Sequence, residues 1–396
     1  MKNKAGDQSL VRKANQGSIV EYLRKNGPTS KAKLSRVLKI SKPTVAKNIE
    51  ELLKGKILYE YGEGESSGGR KPLLIAFNPN YKFVLSLEIN VNHPMIALYD
   101  LHGKILTKIK LSMSSKIKED AFLNKIYTAV EQMMSDEAIK DNRIGVITVS
   151  TPGIINEETG DIYANPQFKD WKKVNLVKEL KNRFNKKVIV KNDISMAALG
   201  EKHYGIGKNY KNLIYISSTL GIGAGLILNG KLYEGLNKAA GEIGYFVTKD
   251  QINSNQNLEN EYAIPMILEK ISGSLQENQD SLLYELTGGD PNQLTLGQVV
   301  ECINLADPYV LSIIDEAAIA YGIAINNISI LLDLECVIIG GALAELGVYF
   351  IERMKEVVKK NNPLTVELMT CGLKENASLY GNYIVGNEYI NKHLIK

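Results

Sequence analysis

Along the first fifty residues, apolar side chains recur at helical spacing. Leu10, Ala14, Ile19, Val20 and Leu23 predict an amphipathic helix over Asp7 to Lys25, ended by Asn26, Gly27 and Pro28. Ser30 offers a cap for a second, short helix with Ala32, Leu34 and Leu38 facing inward. A third opens at Ser41, Lys42 and Pro43, proline being tolerated in a first turn. In it Val45, Ile49 and Leu52 stand at i, i+4 and i+7, which predicts Lys42, Thr44, Lys47 and Asn48 on the open face. The period then changes. Ile57 to Tyr61 and Leu73 to Phe77 read as two strands joined by the loop GEGESSGGRKP, with Arg70 and Lys71 at its tip. Three helices and a two-stranded wing make residues 1–77 a winged helix-turn-helix head.

Asn78, Pro79, Asn80 and Tyr81 predict a hinge at 78–81. Beyond it, strand patterns alternate with helical ones, which predicts an α/β body. Phe83 to Ile89, Pro94 to Leu98, Ile105 to Leu111, Ile144 to Val149 and Val188 to Val190 are strands, with helices over Asp120 to Met134 and from Val177. Lys191, Asn192 and Asp193 open a further helix, so Asn192 and Asp193 fall at a strand's carboxyl end, where open α/β sheets place ligand-binding side chains. The second half repeats this logic with strands at Leu213 to Ser217, Leu226 to Asn229 and Val337 to Gly341. Its helices fall at Ala263 to Ile271, Thr295 to Asn304, Pro308 to Leu331, Val348 to Lys359 and Asn376 to His393. The expected domains are a first lobe at 82–195 and a second at 196–396, the C-terminal helix staying with the second or returning to the first.

Between Ser218 and Tyr245 lies the stretch richest in glycine. Gly221, Gly223 and Gly225 fit either a phosphate cradle of backbone N–H groups or a plain turn between strands, and the spacing alone does not choose. Charge changes the picture more than composition does. Residues 1–77 carry 16 Lys and Arg against 7 Asp and Glu, and the remainder 32 against 37, so a basic head sits on a mildly acidic body. Together with the helix pattern this favours DNA over a merely solvated helix face, with Ser41, Lys42, Thr44, Lys47 and Asn48 for the major groove and Arg70 and Lys71 for the minor groove. Cys302, Cys336 and Cys371 are far apart and read as buried thiols of a reducing compartment. Neither a signal peptide nor a membrane span is expected, which points to the cytoplasm.

The segments SKPTVAKNIEELLKGKILYEYGEGESSGGRKP, TPGIINEETGDIYANPQFKDW, KNDISMAALGE, GIGAGLILNGKLYEGLNKAAGEIGY and VIIGGALAELG, in that order, resemble the ROK family of repressors and sugar kinases. Within it the chain is similar to the xylose-repressor type. The resemblance implies a winged head before a two-lobed, actin-like body of the ribonuclease H and sugar-kinase kind. It also implies a palindromic DNA operator, a homodimer or tetramer, and a monosaccharide effector, xylose first. It assigns the sugar to Asn192, Asp193, Glu242 and Glu259 or Glu261, with Gln167 where the family often has Asn, and Tyr245 where it has His. Carboxylates and amides suit vicinal hydroxyls because they take bidentate pairs. A cap or salt bridge is the plainer role for Glu242, and an N-cap for Asp193.

Two departures bear on activity. Glu88, Asn90, Val91 and Asn92 stand where the family's kinases carry their phosphate turn, and Leu220 replaces a residue of the second glycine loop. No ATP use is therefore expected, and the glycine stretch becomes an inherited turn that lets the lobes move. Tyr245 and the missing cysteine cluster remove the family's zinc ligands, so no structural zinc is expected. The rival readings are a sugar kinase with an added head, and a repressor released by a protein partner.

Overall fold

The computed structural model describes residues 4–65, 71–90, 93–113, 117–135, 143–156, 159, 161–163, 175–248 and 256–395. The head consists of α1 (Lys4–Asn26), β1 (Thr29–Ser30), α2 (Lys31–Leu38), α3 (Lys42–Lys54), β2 (Leu58–Glu63) and β3 (Leu73–Phe77). Ile19, Leu23, Leu34, Val45 and Ile49 are fully or almost fully buried, as the 3.6-residue period requires, and Ile75 of β3 is buried with them. Ala32 is exposed instead of facing in, because it sits in the first turn of α2, outside the stripe that Leu34 sets. β3 lies between β1 and β2, and an irregularity between Glu60 and Gly62 shifts the wing's register.

The first lobe contains β4 (Phe83–Glu88), β5 (Met95–Tyr99), β6 (Ile105–Lys110), α4 (Glu119–Ser135), β7 (Ile144–Thr151), the short pair β8 (Ile154–Ile155) and β9 (Ile162–Tyr163), α5 (Leu176–Phe184) and β10 (Val188–Asn192). After α6 (Asp193–His203) the second lobe continues with β11 (Leu213–Ser218), β12 (Ile222–Leu228) and β13 (Lys231–Tyr233). Then come α7 (Leu258–Tyr262), α8 (Ile264–Gly273), α9 (Leu282–Thr287), α10 (Leu296–Asn304), α11 (Pro308–Leu332), β14 (Cys336–Gly341), α12 (Gly347–Asn361) and β15 (Glu367–Thr370), after which α13 (Ala377–His393) returns to the first lobe. The two main sheets have one topology. Their orders are β6-β5-β4-β7-β10 and β13-β12-β11-β14-β15; in each, the first three strands pair antiparallel and the last two add in parallel.

The glycine run is not a loop. Gly223 and Gly225 lie within β12, and neither needs a positive φ. A Cβ on Gly225 would stand 2.5 Å from the Cβ of Ala198 and 2.7 Å from the carbonyl of Ile194, both on α6. Gly223 and Gly225 let strand and helix approach closely, while Gly221 stands in the short bend that joins β11 to β12. α6 meets α13 in the same way: a Cβ on Gly200 would fall 2.0 Å from the Ala377 carbonyl, and one on Gly381 2.0 Å from that of Met196. α13 in turn lies on β4 and β7, with Gly386 against Val84, and Asn382 Nδ2 donates to the Leu87 carbonyl and to Ser150 Oγ, each at 2.9 Å. The order β12, α6, α13, β4 and β7 is therefore the joint between the lobes.

α11 is long and apolar enough to meet the length and composition of a membrane span, although Asp315 and Glu316 interrupt its apolar run. It packs against α8 and α12, with Val310, Ile314, Ala317, Ala318 and Tyr321 in the second lobe's core. The stretch 78–81 is not slack either. Asn78 N donates to the Ile57 carbonyl, Asn78 Nδ2 to that of Lys56, and Leu101 N to that of Pro79, at 2.9 Å each.

Replacing Gly381 by Val should lower the unfolding free energy by about 2 kcal/mol or more, since the new methyls meet a helix backbone that cannot turn aside. Urea unfolding of Gly381→Val checks this, with the exposed Gly273, which has nothing near its Cβ, as the control.

Candidate functional site

Strand ends converge on the space between the lobes. Glu88 ends β4, Thr151 ends β7, Asn192 ends β10, Ser218 ends β11 and Gly341 ends β14. Asn192 caps α6: its Oδ1 accepts from Ser195 N at 2.9 Å, and its Nδ2 donates to the Gly153 carbonyl at 3.2 Å. Asp193 is the first residue of that helix, and its Oδ1 accepts from Ile194 N at 2.9 Å. The cap is thus Asn192, and Asp193 retains a second oxygen.

These two residues line a cavity of about 120 Å³ with Gly153, Ser195, Lys238, Glu242, Tyr245 and Glu259 among its other walls. Glu242 is held there by Gly241, whose φ is +97° and whose Cβ would fall 1.9 Å from the Ala224 carbonyl. Only glycine allows this approach. Glu259 Oε2 accepts from Ile222 N at 2.8 Å, whereas Glu261 turns to Lys270 Nζ at 3.3 Å. Of the two candidate glutamates, the cavity wall holds Glu259. Tyr245 is 66% exposed at the rim, and Gln167 lies outside the described residues. Burial raises the Asp193 carboxyl to about 6, its own helix N–H groups opposing and Glu242 adding to the rise. Burial, then Glu259, raises Glu242 as well. Lys238 was invisible to the sequence reading. Its φ of +57° belongs to a turn residue, and its Nζ donates to Glu234 Oε2, while Lys191 donates to Glu234 Oε1.

Beyond Asp193 a larger cavity, about 560 Å³, opens between Glu88, Asn90, Thr219, Glu345, Lys374 and Glu375. Val91 and Asn92 lie outside the described residues, and Leu220 borders the smaller cavity. Glu88 accepts from Ser378 Oγ, and burial lifts it to about 7, the Ser378 hydroxyl opposing and Asp193 adding to the rise. Glu375 is paired with Lys108 Nζ at 3.1 Å and Lys110 Nζ at 2.6 Å, so Glu88, Asp193 and Glu345 are the acidic groups of this wall that face Lys374. Among the described residues no cluster of three or more His, Cys, Asp or Glu could hold a metal ion. Cys302, Cys336 and Cys371 are buried separately, and Tyr245 offers only a phenol, so this donor set does not fit zinc.

In the head, Ser41 caps α3, its Oγ accepting from Thr44 N at 3.3 Å; Lys42, Lys47 and Lys71 are exposed and Thr44 is half-buried. Asn48 departs from the open face. It is 3% exposed and its Nδ2 donates to the Thr44 carbonyl at 2.8 Å, because α1 covers that side of α3. Arg70 lies outside the described residues. Sequence periodicity missed the groove between the two helices, where Gln8, Arg12 and Asn15 of α1 join Thr44 and Lys47.

A basic winged head on two lobes of one topology, with a carboxylate-lined cavity between them, defines a class of DNA-binding regulators built on a sugar-kinase body. Residues 84–388 match the ROK family model and residues 12–57 a winged helix-turn-helix DNA-binding model, and the chain belongs to the ROK family. It is 28% identical over 386 residues to the xylose repressor of Bacillus subtilis, covering 95% of each chain. Among solved structures it resembles a ROK family transcriptional regulator described as a homologue of the E. coli MLC protein, at 22% identity and TM-score 0.79, covering 97% of this chain and 98% of that one. A ROK family glucokinase from Streptomyces griseus in complex with glucose and AMPPNP aligns at 19% identity and TM-score 0.66, over 77% of this chain and 99% of that one.

Glu88 binds its proton more tightly folded than unfolded. It therefore withdraws stability as pH rises from the ordinary glutamate value of 4.5 to about 7. Glu88→Gln should be more stable than the parent at pH 8 by on the order of 2 kcal/mol, with the gain largely gone at pH 4.5; denaturant unfolding at the two pH values measures it.

Proposed function

We propose that this chain is a sugar-responsive transcriptional repressor that holds a palindromic operator as a homodimer and releases it when a monosaccharide, xylose first, fills the cavity at Asp193. The observation that carries this reading is the cavity itself. Asp193, Glu242 and Glu259 meet there around a space of about 120 Å³, small and rich in acceptors for hydroxyl groups. The similarity to a xylose repressor supports the choice of sugar. In this reading Asn192, Asp193, Glu242 and Glu259 bind hydroxyls and Tyr245 stacks on the ring. Phosphate contacts from the basic head supply affinity, and Lys42, Thr44 and Lys47 face base edges.

The dimer would form through the second lobe, where α11 exposes Ile319, Ile323, Ile330 and Leu331 along one side. Buried free thiols support a cytoplasmic setting. The carboxylates at Glu88 and Glu345, which stand at the wall of the larger cavity without a lysine bridge, favour a repressor without ATP chemistry over a kinase with an added head. Transfer of a γ-phosphate needs donors and cations at that wall.

Asp193→Ala should bind an operator selected from random duplexes within about two-fold of the parent, yet keep holding it in saturating xylose; fluorescence anisotropy with and without the sugar decides. Release by xylose in this variant would remove Asp193 from the site, and sugar phosphorylation in a coupled assay with ATP and Mg²⁺ would overturn the non-enzyme reading. Lys42→Ala and Lys47→Ala should each weaken operator binding by about 1–3 kcal/mol and relax the base preference at one position of the site, measured by anisotropy against single-base operator variants.

A further inference from the structure

Arg24, near the end of α1, reaches out of the head into the body. Its Nη2 donates to the Leu101 carbonyl at 2.9 Å and to Asn387 Oδ1 at 3.0 Å, and its Nη1 donates to Asn391 Oδ1. The guanidinium lies 4.9 Å from the ring centre of Phe77 and is desolvated enough to lower its pKa. Leu101 belongs to the turn between β5 and β6; Asn387 and Asn391 stand one turn apart on α13. The same Leu101 carbonyl accepts from Tyr383 Oη at 3.1 Å, and Asn387 Nδ2 donates to that hydroxyl at 3.0 Å. Every group around the cation is thus committed to it or to a neighbour. The head's core is also continuous with that of the body: one buried cluster runs from Ile19, Leu34 and Ile49 through Phe77, Tyr99 and Tyr383 to Leu199 and Ile338.

The helix that holds Arg24 begins at the cleft. Ala377 and Ser378 line the larger cavity, Ser378 bonds to Glu88, and Asn382 bonds to the Leu87 carbonyl. Asn391 is then roughly 20 Å further along the same helix, at 1.5 Å per residue. α6, which starts at Asp193, packs on β12 of the second lobe and crosses α13 through Gly200 and Gly381.

We propose that Arg24 bolts the DNA-binding head to α13 and the first lobe as one rigid body, making Arg24 the positioning residue through which a change of lobe angle at the cleft becomes a displacement of the head. This rests on the function proposed above. With the pairing surface on the second lobe, any rotation of α6 against α13 swings the first lobe and head together relative to the partner's head. A loose head would absorb that rotation in its linker.

The test uses the full-length dimer with spin labels at Lys54→Cys in the head and Lys125→Cys on α4, the three native cysteines being buried. In the parent the label distance should be narrowly distributed and unmoved by xylose; in Arg24→Ala its width should at least double. The ratio of operator Kd with and without saturating xylose should fall in Arg24→Ala to within about two-fold of 1, while operator Kd without sugar and the xylose-induced thermal shift stay near parental values. Arg24→Lys, which keeps the charge but loses the forked geometry, should fall between, and Asn391→Ala should reproduce the loss from the other side. An unchanged ratio in both Arg24→Ala and Asn391→Ala, or an unbroadened distance in Arg24→Ala, overturns the proposal. If xylose leaves the parent's operator affinity unchanged, the sugar reading fails, and the bolt is judged by the label widths alone: broadening upholds it and its absence sinks it.

Discussion

The contact on which this architecture depends is backbone against backbone, where α6 crosses α13. Gly200 and Gly381 each face a main-chain carbonyl at a distance no Cβ could occupy. Side chains interposed there would push the helices toward the usual 8 to 10 Å between axes or beyond. The lobes would then part, since α6 carries β12 on its other side and α13 carries β4 and β7. The positions of Asp193 and Glu88, which face the two cavities from these layers, follow from that one spacing.

Close packing of this kind also explains the electrostatics. Asp193 and Glu88 stand where burial disfavours charge, with few compensating donors: the N–H groups at the start of α6 for one, a single hydroxyl for the other. In the smaller space Glu242 makes ionisation of Asp193 harder, and Glu259 that of Glu242. Hydroxyl donors placed against these carboxylates would relieve this crowding.

Much of the fold was legible because burial follows simple periods. The stripe of Val45, Ile49 and Leu52 located α3, and continuous apolar runs located β4, β7 and β14 within two or three residues. What was not legible depended on partners distant in sequence. The spacing of Gly223 and Gly225 is the same in a loop and in a strand pressed against a helix; only the placement of Ala198 and Ile194 tells them apart. β13 and β15 are short edge strands, at Lys231–Tyr233 and Glu367–Thr370, with polar residues and little alternation to read. Asn48 looked exposed because its burial comes from α1, some thirty residues upstream. At the cleft, Asn192, Asp193 and Glu242 could be named from strand ends and resemblance. The choice of Glu259 over Glu261 needed the hydrogen bond from Ile222 N, and Lys238 needed the turn that bends it back.

The commitment of Arg24 to Asn387 and Asn391 has a consequence for the history of such chains and for their engineering. A winged head is commonly pictured as a module that can be exchanged at its linker, with operator choice and effector choice inherited separately. Here one side chain of the reader is an internal part of the sensor. A chimaera joined at Asn78 would leave two body amides facing an empty socket unless the incoming helix brought its own arginine. Recombination between relatives is therefore constrained less by the linker's sequence than by whether the two halves of this socket arrive together.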